Sequence, residues 1–294
     1  MIRAAIIGFG NIGRYVLDTL NESPDFTVAG IVSRSLAPNA VAGVQIAREF
    51  SELSDVQVAI LCAPSRNVPA MAEALLKSGI RTVDSFDIHS EISQTAARLD
   101  AVAKEHQTAA VISAGWDPGT DSIIRTLAEA MIPKGITYTN FGPGMSMGHS
   151  TAVKAVAGVK DALSVTIPKG TGLHRRMVYI ELEKGADFET VTNAIKQDPY
   201  FIHDETHVTA VASVDEVRDM GHGVALTRKG ASGSTHNQNI AFTMSINNPA
   251  LTAQILVSAA RAVTKRQPGC YTMIEIPVVD FLPGDKADWI KKLV

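Results

Sequence analysis

Residues 8–13 read Gly-Phe-Gly-Asn-Ile-Gly, between the apolar run Ala4-Ala5-Ile6-Ile7 and a helical pattern that starts at once. This G-x-G-x-x-G constrains the chain more than any other feature. Gly8 allows the tight turn out of a strand, Gly10 lets a pyrophosphate approach the backbone, and Gly13 lets the helix pack closely on a sheet. The free N–H groups at the helix start, Asn11 and Ile12 among them, then face phosphates. The glycines alone are a weak signal. A second apolar strand, Thr27 to Val32, follows at βαβ spacing and makes this a dinucleotide-binding turn.

The end of that second strand bears on the cofactor. An NAD site usually places an acid there for the ribose 2′-hydroxyl. This chain has Ser33-Arg34-Ser35 and no acid. A guanidinium and two hydroxyls suit a 2′-phosphate, so NADP is the expected cofactor.

Strands and crossover helices alternate up to Ser113. Val56 to Cys62, Arg81 to Ser85 and Thr108 to Ser113 read as strands. Asn67 to Ser78 and Glu91 to about His106 read as helices, the latter with Ser90 as cap. Gly43 to Ile46 reads as a short strand. The alternation predicts a doubly wound parallel sheet. Beyond Asp117 the pattern changes to strands with few helices (137–141, 162–167, 176–182, 208–214 and 241–246), an α+β arrangement. The expectation is a Rossmann domain over residues 1–117, with a C-terminal tail from about 283 to 294 packing back on it. A substrate-binding and dimerisation domain follows over residues 118–282.

Of the 294 residues, 46% are hydrophobic and 19% charged, as in soluble globular chains. A net charge of −3 offers no electrostatic case for nucleic acid or an anionic membrane. No apolar run approaches the roughly 20 residues of a membrane span. A core strand from the second residue leaves no room for a targeting peptide, so a cytoplasmic, membrane-free protein is expected. The two cysteines, Cys62 and Cys270, have no C-x-x-C spacing and read as reduced thiols.

In an open α/β sheet, ligands sit outside the carboxyl ends of the strands. Three segments fall there: Cys62-Ala63-Pro64-Ser65, the stretch from Asp84 to His89, and Gly115-Trp116-Asp117-Pro118-Gly119. Asp87 and Asp117 are therefore expected in one crevice. Two carboxylates suit a substrate carrying an ammonium group, holding the amine and helping to remove its proton. Helix capping explains each of them equally well from spacing alone. Phe141 to Ser150 is a glycine-rich loop running into a helix, suited either to an anion or to a tight turn. His203-Asp204-Glu205-Thr206-His207 lacks the H-E-x-x-H order and signposts no third ligand, so no metal is expected.

Six segments together resemble the meso-diaminopimelate dehydrogenase family. They are GFGNIGR at 8–14, SRS at 33–35, DSFDIH at 84–89, AGWDPG at 114–119, FGPGMSMGHS at 141–150 and NNPALTA at 247–253. The resemblance spans nearly the whole chain. It implies NADP-dependent, reversible oxidative deamination at the D-centre of meso-2,6-diaminopimelate, giving L-2-amino-6-oxopimelate, ammonia and NADPH. It implies that Asp87 and Asp117 hold the reacting amino group, with Trp116 packed beside the substrate. The backbone at Met147 and Gly148 would receive the D-centre carboxylate. Arg176, Thr166 and His222 would clamp the distal carboxylate, with Asn248 at that end. Cofactor contacts would come from Gly8, Gly10, Asn11, Ile12, Gly13, Ser33, Arg34, Ser35, Cys62 and Ser65. A homodimer or higher homo-oligomer is also expected.

Two departures stand out. Phe141 replaces the Trp that some members carry, and only Lys169 to Leu173 bridge to His174-Arg175-Arg176 where many members have a longer insertion. The compact form resembles a subgroup that also aminates other 2-keto acids to D-amino acids. Two other readings compete. A semialdehyde dehydrogenase needs an activated cysteine, and no thiol-activating motif surrounds either one. A non-catalytic NADP sensor needs an output module, and the sequence shows none.

Overall fold

Ala4 and Ile6 point to one face of the first strand and Ala5 and Ile7 to the other, and all four are buried. A strand buried on both faces belongs inside a parallel sheet with helices on each side. A computed structural model of the chain describes residues 1–218 and 221–294. It begins with β1 (Ile2–Ile7), α1 (Asn11–Asn21), β2 (Phe26–Val32), β3 (Ile46–Ala47) and β4 (Val58–Leu61). Then come α2 (Val68–Lys77), β5 (Arg81–Asp84), α3 (Ile92–Glu105), β6 (Ala109–Val111) and α4 (Thr120–Met131). Ser90 does not cap α3: a 3-10 turn over His89–Glu91 precedes the helix, and Glu91 takes the cap position without a side-chain bond.

The middle of the chain holds β7 (Lys134–Phe141), β8 (Gly144–Met145), α5 (Met147–Lys154), β9 (Val159–Gly170) and β10 (Leu173–Leu182). It continues with α6 (Phe188–Gln197), β11 (Glu205–Ala210), β12 (Gly221–Ser232) and β13 (Thr235–Asn247). One sheet runs β11-β10-β9-β8 and a second runs β13-β12-β7. Helices α5 and α6 pack on the first through Ala152, Val153, Val191 and Ile195 against Val178 and Ile180. β12 has no counterpart among the expected strands. Its buried positions include His222 and Arg228, and those polar residues hide the two-residue alternation. Arg228 is tolerated there because it donates to the Ile132 carbonyl, Glu129 and Thr137.

The chain closes with α7 (Asn248–Val263), β14 (Gly269–Tyr271) and α8 (Lys286–Leu293). β14 pairs in parallel with β6 and completes a seven-stranded sheet, β14-β6-β5-β4-β1-β2-β3. Leu256, Val257 and Ala260 of α7 join Val16 and Leu20 of α1 over Ile6, Ile31 and Ile60. Leu75, Leu76, Leu99 and Ala103 of α2 and α3 cover Ala5, Ile7, Ala59 and Leu61 on the opposite face. Contacts divide the chain into residues 1–125 with 249–294 and residues 126–248. The expected boundaries, 117/118 and 282/283, differ from these. α7 and β14 belong with the first unit because they supply a crossover helix and an edge strand of its sheet.

Candidate active site

The turn between β1 and α1 has the build that a dinucleotide needs. Gly8 has φ +96°, and a Cβ on it would meet the Cys62 carbonyl oxygen at 2.5 Å. A Cβ on Gly13 would lie 2.3 Å from the Gly8 carbonyl oxygen, so the helix can start this close only without a side chain. A Cβ on Gly10 would meet nothing within 4 Å, so the side of the turn that it faces is open. Gly10 is also the N-cap of α1, with no side-chain cap and no acid in the first turn. The leading N–H groups, at Asn11 and Ile12, are left for an anion. Cys62 forms the floor, its N–H donating to the Ile7 carbonyl.

At the end of β2, Ser33 is buried and its hydroxyl lies 3.3 Å from that of Ser35. Arg34 is exposed. Arg48, just past β3, donates to the carbonyls of Ser33 and Arg34 and braces the loop that presents Arg34. Sequence spacing gave no reason to single out Arg48. Only the pairing of β3 with β2 brings it here.

Neighbouring strands β5 and β6 carry the two candidate acids at their carboxyl ends. Asp87 accepts a 2.6 Å hydrogen bond from the Ser65 hydroxyl, which joins the loop after β4 to the loop after β5. The buried Asp84 carboxylate accepts from the N–H of Phe86 (2.9 Å) and of Ser113 (3.2 Å), which joins the loop after β5 to that after β6. Burial nonetheless pushes Asp84 up to about 6, against the pull of those two bonds. Trp116 is buried, and the turn after it closes because Gly119 has φ +143°. Any Cβ on Gly119 would fall 1.9 Å from the Gly115 carbonyl oxygen.

Asp117 protrudes from this turn, and burial raises its carboxyl to about 8. The neighbouring Asp121 adds to the rise, Arg125 opposes it, and Asp87 contributes a smaller upward push. Asp87 and Asp117 therefore lie within electrostatic reach of one another. Asp121 and Arg125 are further members of this group. From the sequence, Asp121 reads only as a favourable acid in the first turn of a helix.

In the second unit, antiparallel pairing sets Arg176 of β10 directly opposite Thr166 of β9. Arg176 donates through Nη1 to the Thr166 hydroxyl and through Nε to Asp204 at 2.6 Å. Thr166 is buried, and the Arg176 and Asp204 side chains are 14% and 22% exposed. His174 Nε2 accepts the Phe141 N–H at 2.8 Å, with the rings 5.4 Å apart. Burial, and then the charge of Arg176, hold His174 below its usual range. That fits a neutral acceptor. His222 is buried in β12, with Nδ1 2.7 Å from the Gly223 nitrogen. Asn248 donates to the Met145 carbonyl at 2.9 Å, fixing the segment that leads into α5. Met147 and Gly148 open α5, whose cap residue Ser146 turns its hydroxyl to the His149 ring and not to a backbone N–H of the first turn. Glu205 is engaged by Lys169, Arg175 and His207. Among the described residues no cluster of three or more His, Cys, Asp or Glu suits a metal ion.

The expected residues thus divide between the two units. The glycine turn, the Ser33–Ser35 loop and the Asp87/Asp117 pair belong to the first. Thr166, Arg176, His222 and the start of α5 belong to the second. Asp204 was not legible as a member either, because its partner Arg176 lies far away in the chain, on β10.

A family signature described as "Oxidoreductase family, NAD-binding Rossmann fold" matches residues 2–111. One described as "Diaminopimelic acid dehydrogenase C-terminal domain" matches residues 115–173. Over its full length the chain is 62% identical to the meso-diaminopimelate D-dehydrogenase of Bacteroides fragilis, covering 99% of that protein. The chain belongs to the meso-diaminopimelate D-dehydrogenase family. The enzyme of that name from Lysinibacillus sphaericus is 33% identical, again with 100% of this chain and 99% of the relative covered. Among solved structures, the Corynebacterium glutamicum diaminopimelate dehydrogenase in complex with DAP superposes with a TM-score of 0.90 at 29% identity. An engineered D-amino acid dehydrogenase bound to NADP+ superposes with a TM-score of 0.91 at 27% identity. Each covers 100% of this chain and 99% of its own. This membership makes the chain an oxidoreductase of the amino-acid dehydrogenase type on a Rossmann fold. Among the described residues no helix is long and apolar enough to cross a membrane.

Proposed function

We propose that the chain catalyses the NADP-dependent, reversible oxidative deamination of meso-2,6-diaminopimelate at its D-centre. The products are L-2-amino-6-oxopimelate, which cyclises to tetrahydrodipicolinate, with ammonia and NADPH. The observation that carries this is full-length identity of 62% to a relative of that name. The acid pair beyond the dinucleotide turn supports it independently, because two carboxyls suit a substrate that carries an ammonium group.

Held at the glycine turn, the nicotinamide dinucleotide supplies the hydride acceptor. Gly8, Gly10 and Gly13 admit its pyrophosphate to the open N–H groups of α1. Ser33, Arg34 and Ser35 receive the 2′-phosphate, and Arg48 keeps Arg34 presented. Asp87 and Asp117 hold the ammonium of the D-centre and take up a proton, freeing the nitrogen lone pair. That pair forms the C=N bond as the Cα–H bond breaks and its electrons leave as hydride. Water then adds to the imine carbon and ammonia departs. The start of α5 receives the carboxylate at this centre. Arg176, Thr166 and His222 take the distal carboxylate, and Asn248 supports that end. This clamp selects the D-centre: binding energy at the far end admits only the orientation that presents its Cα–H.

The short Lys169–Leu173 bridge supports a second range of substrates, the 2-keto acids that are aminated to D-amino acids. The reaction is placed in the cytoplasm, in lysine and cell-wall precursor synthesis, and the active form is a homodimer or higher homo-oligomer. Exposed Leu127 and Met131, one helical turn apart on α4, and exposed Ile136 on β7 support a self-association surface. Semialdehyde chemistry is disfavoured because burial pushes the Cys62 thiol up to about 12 and raises Cys270 as well. The test is NADPH formation from NADP and meso-diaminopimelate, with NAD and a panel of D-amino acids alongside. NADPH binding without turnover would instead indicate a sensor.

A further inference from the structure

Asp121 sits in the first turn of α4, four residues after Asp117, and is 1% exposed. Its backbone N–H donates to the Trp116 carbonyl at 3.0 Å, so its position depends on the same turn that presents Asp117. Its two carboxylate oxygens have different surroundings. Oδ2 accepts from Nε and Nη2 of Arg125, at 3.0 and 2.8 Å. Oδ1 is buried, and among the described residues no donor reaches it. A buried oxygen left in this way is costly and calls for a physical reason.

The neighbouring Asp117 carboxyl offers one. Asp117 lies within side-chain hydrogen-bonding reach of Asp121. Two carboxylates in contact are both acceptors and repel. One carboxylic acid and one carboxylate satisfy each other through a single O–H···O bond. Arg125 completes the set, since its Nη2 lies 3.9 Å from Asp117 Oδ1 as well as on Asp121. One cation, two carboxyls and one retained proton make a neutral group. Asp87, from the loop after β5, also acts on Asp117, and its charge favours retention of that proton.

We propose that Asp121 is a positioning residue for Asp117, accepting a hydrogen bond from the protonated Asp117 carboxyl, with Arg125 holding Asp121 in place to do so. The inference rests on the reading of Asp117 as the proton-transfer group of the reaction proposed above. In deamination, Asp117 first loses its proton to solvent and then accepts one from the substrate ammonium. In amination, hydride arriving at the iminium carbon leaves a neutral amine, which takes the O–H proton of Asp117 to become the ammonium, and Asp117 is left as carboxylate. The O–H···O bond to Asp121 holds that proton on Asp117 near neutral pH, where general acid–base groups work best, until the carboxyl releases it to the substrate nitrogen.

The test is the pH dependence of kcat/KM for deamination of meso-diaminopimelate by the wild type, Asp121→Asn and Arg125→Gln. Deamination requires ionised Asp117, so kcat/KM rises with pH through that ionisation. Asp121→Asn removes the neighbouring charge and offers an amide donor, and the rise moves to lower pH by about one unit or more. Arg125→Gln removes the cation and moves the rise to higher pH. A merely structural role lowers the rate at all pH values and leaves the midpoint in place. Midpoints unchanged in both variants would overturn the proposal. If Asp121→Asn fails to fold, the presence or absence of the upward shift in Arg125→Gln decides. A readout without turnover comes from carbon-13 NMR of aspartate carboxyls in the NADP-saturated protein. One resonance is expected to titrate late, vanish in Asp117→Asn and titrate earlier in Asp121→Asn. If the wild type does not oxidise diaminopimelate, the proposed reaction fails, and the NMR titration still decides the pairing.

Discussion

Replacing Arg176 with alanine separates the distal clamp from the reacting centre. Arg176 uses Nε on Asp204 and Nη1 on Thr166, and no described residue is shown taking Nη2. A distal carboxylate is expected to dock end-on to the Nη1/Nη2 fork. Each charge-assisted hydrogen bond lost costs about 1.5–3 kcal/mol. Asp204 is also left without its counter-ion and repels the incoming carboxylate, by on the order of 1 kcal/mol at a partly exposed site. One such bond and the repulsion together give about 2.5–4 kcal/mol, or roughly 70- to 1000-fold in kcat/KM for meso-diaminopimelate. Adding Asp204→Asn to the variant is expected to recover about fivefold, because the repulsion is relieved. D-amino acids without a distal carboxylate keep their kcat/KM within about threefold, since uniform binding energy is not at stake for them. The Arg176 and Asp204 side chains are largely buried, so breaking the pair costs the fold about 1–3 kcal/mol, and the double variant with Asp204→Asn, which leaves no carboxylate unpaired, keeps the comparison assayable. Initial-rate kinetics on diaminopimelate and on small D-amino acids make the comparison. An equal loss for both classes would refute the distal role of Arg176.

Three other perturbations probe the first unit. Arg34→Ala is expected to raise KM for NADP about tenfold while leaving that for NAD nearly unchanged, the value of one charge-assisted bond at an exposed site; equal effects on the two cofactors would remove its 2′-phosphate role. Gly13→Ala forces a Cβ against the Gly8 carbonyl oxygen, and loss of NADPH binding by calorimetry is expected to accompany a lower melting temperature; unchanged binding would show that the turn can yield. Asp84 carries a folded-state pKa of about 6, above its unfolded value of roughly 3.9. Its protonation therefore favours the folded state, and the benefit is full below the unfolded value and lost as pH rises through about 6. Relative to Asp84→Asn, the wild type should lose on the order of 2–3 kcal/mol of stability across that window, as read by denaturant titration at a series of pH values; a flat difference would show that Asp84 does not titrate there.

Much of the first unit was legible because its constraints are local in the chain. The unbroken apolar run of residues 4–7, the glycine spacing and the strand-to-helix rhythm each involve residues a few positions apart. The carboxyl-end rule then placed Asp87 and Asp117 near each other, since β5 and β6 are neighbours in such a sheet. The second unit was less legible. β12 carries histidine, arginine and three glycines, so its pattern resembles a loop until partner strands β7 and β13 cover it. α7 and β14 follow the second unit in sequence, and only their packing on β6 and α1 shows that they finish the first sheet.

Backbone chemistry travels with the amino acids themselves: where a side chain is forbidden, where a helix starts, which faces must be buried. The sequence by itself therefore determined the dinucleotide turn, the class of fold and the family. The state of a proton and the partner of a charge depend on what lies within a few ångströms in space. Strand register joined Arg176 to Thr166 and Asp204, and a tight turn set Asp121 against Asp117 in a buried place. Only the tertiary structure could decide those, because desolvation and Coulomb forces act through space, whatever the separation along the chain.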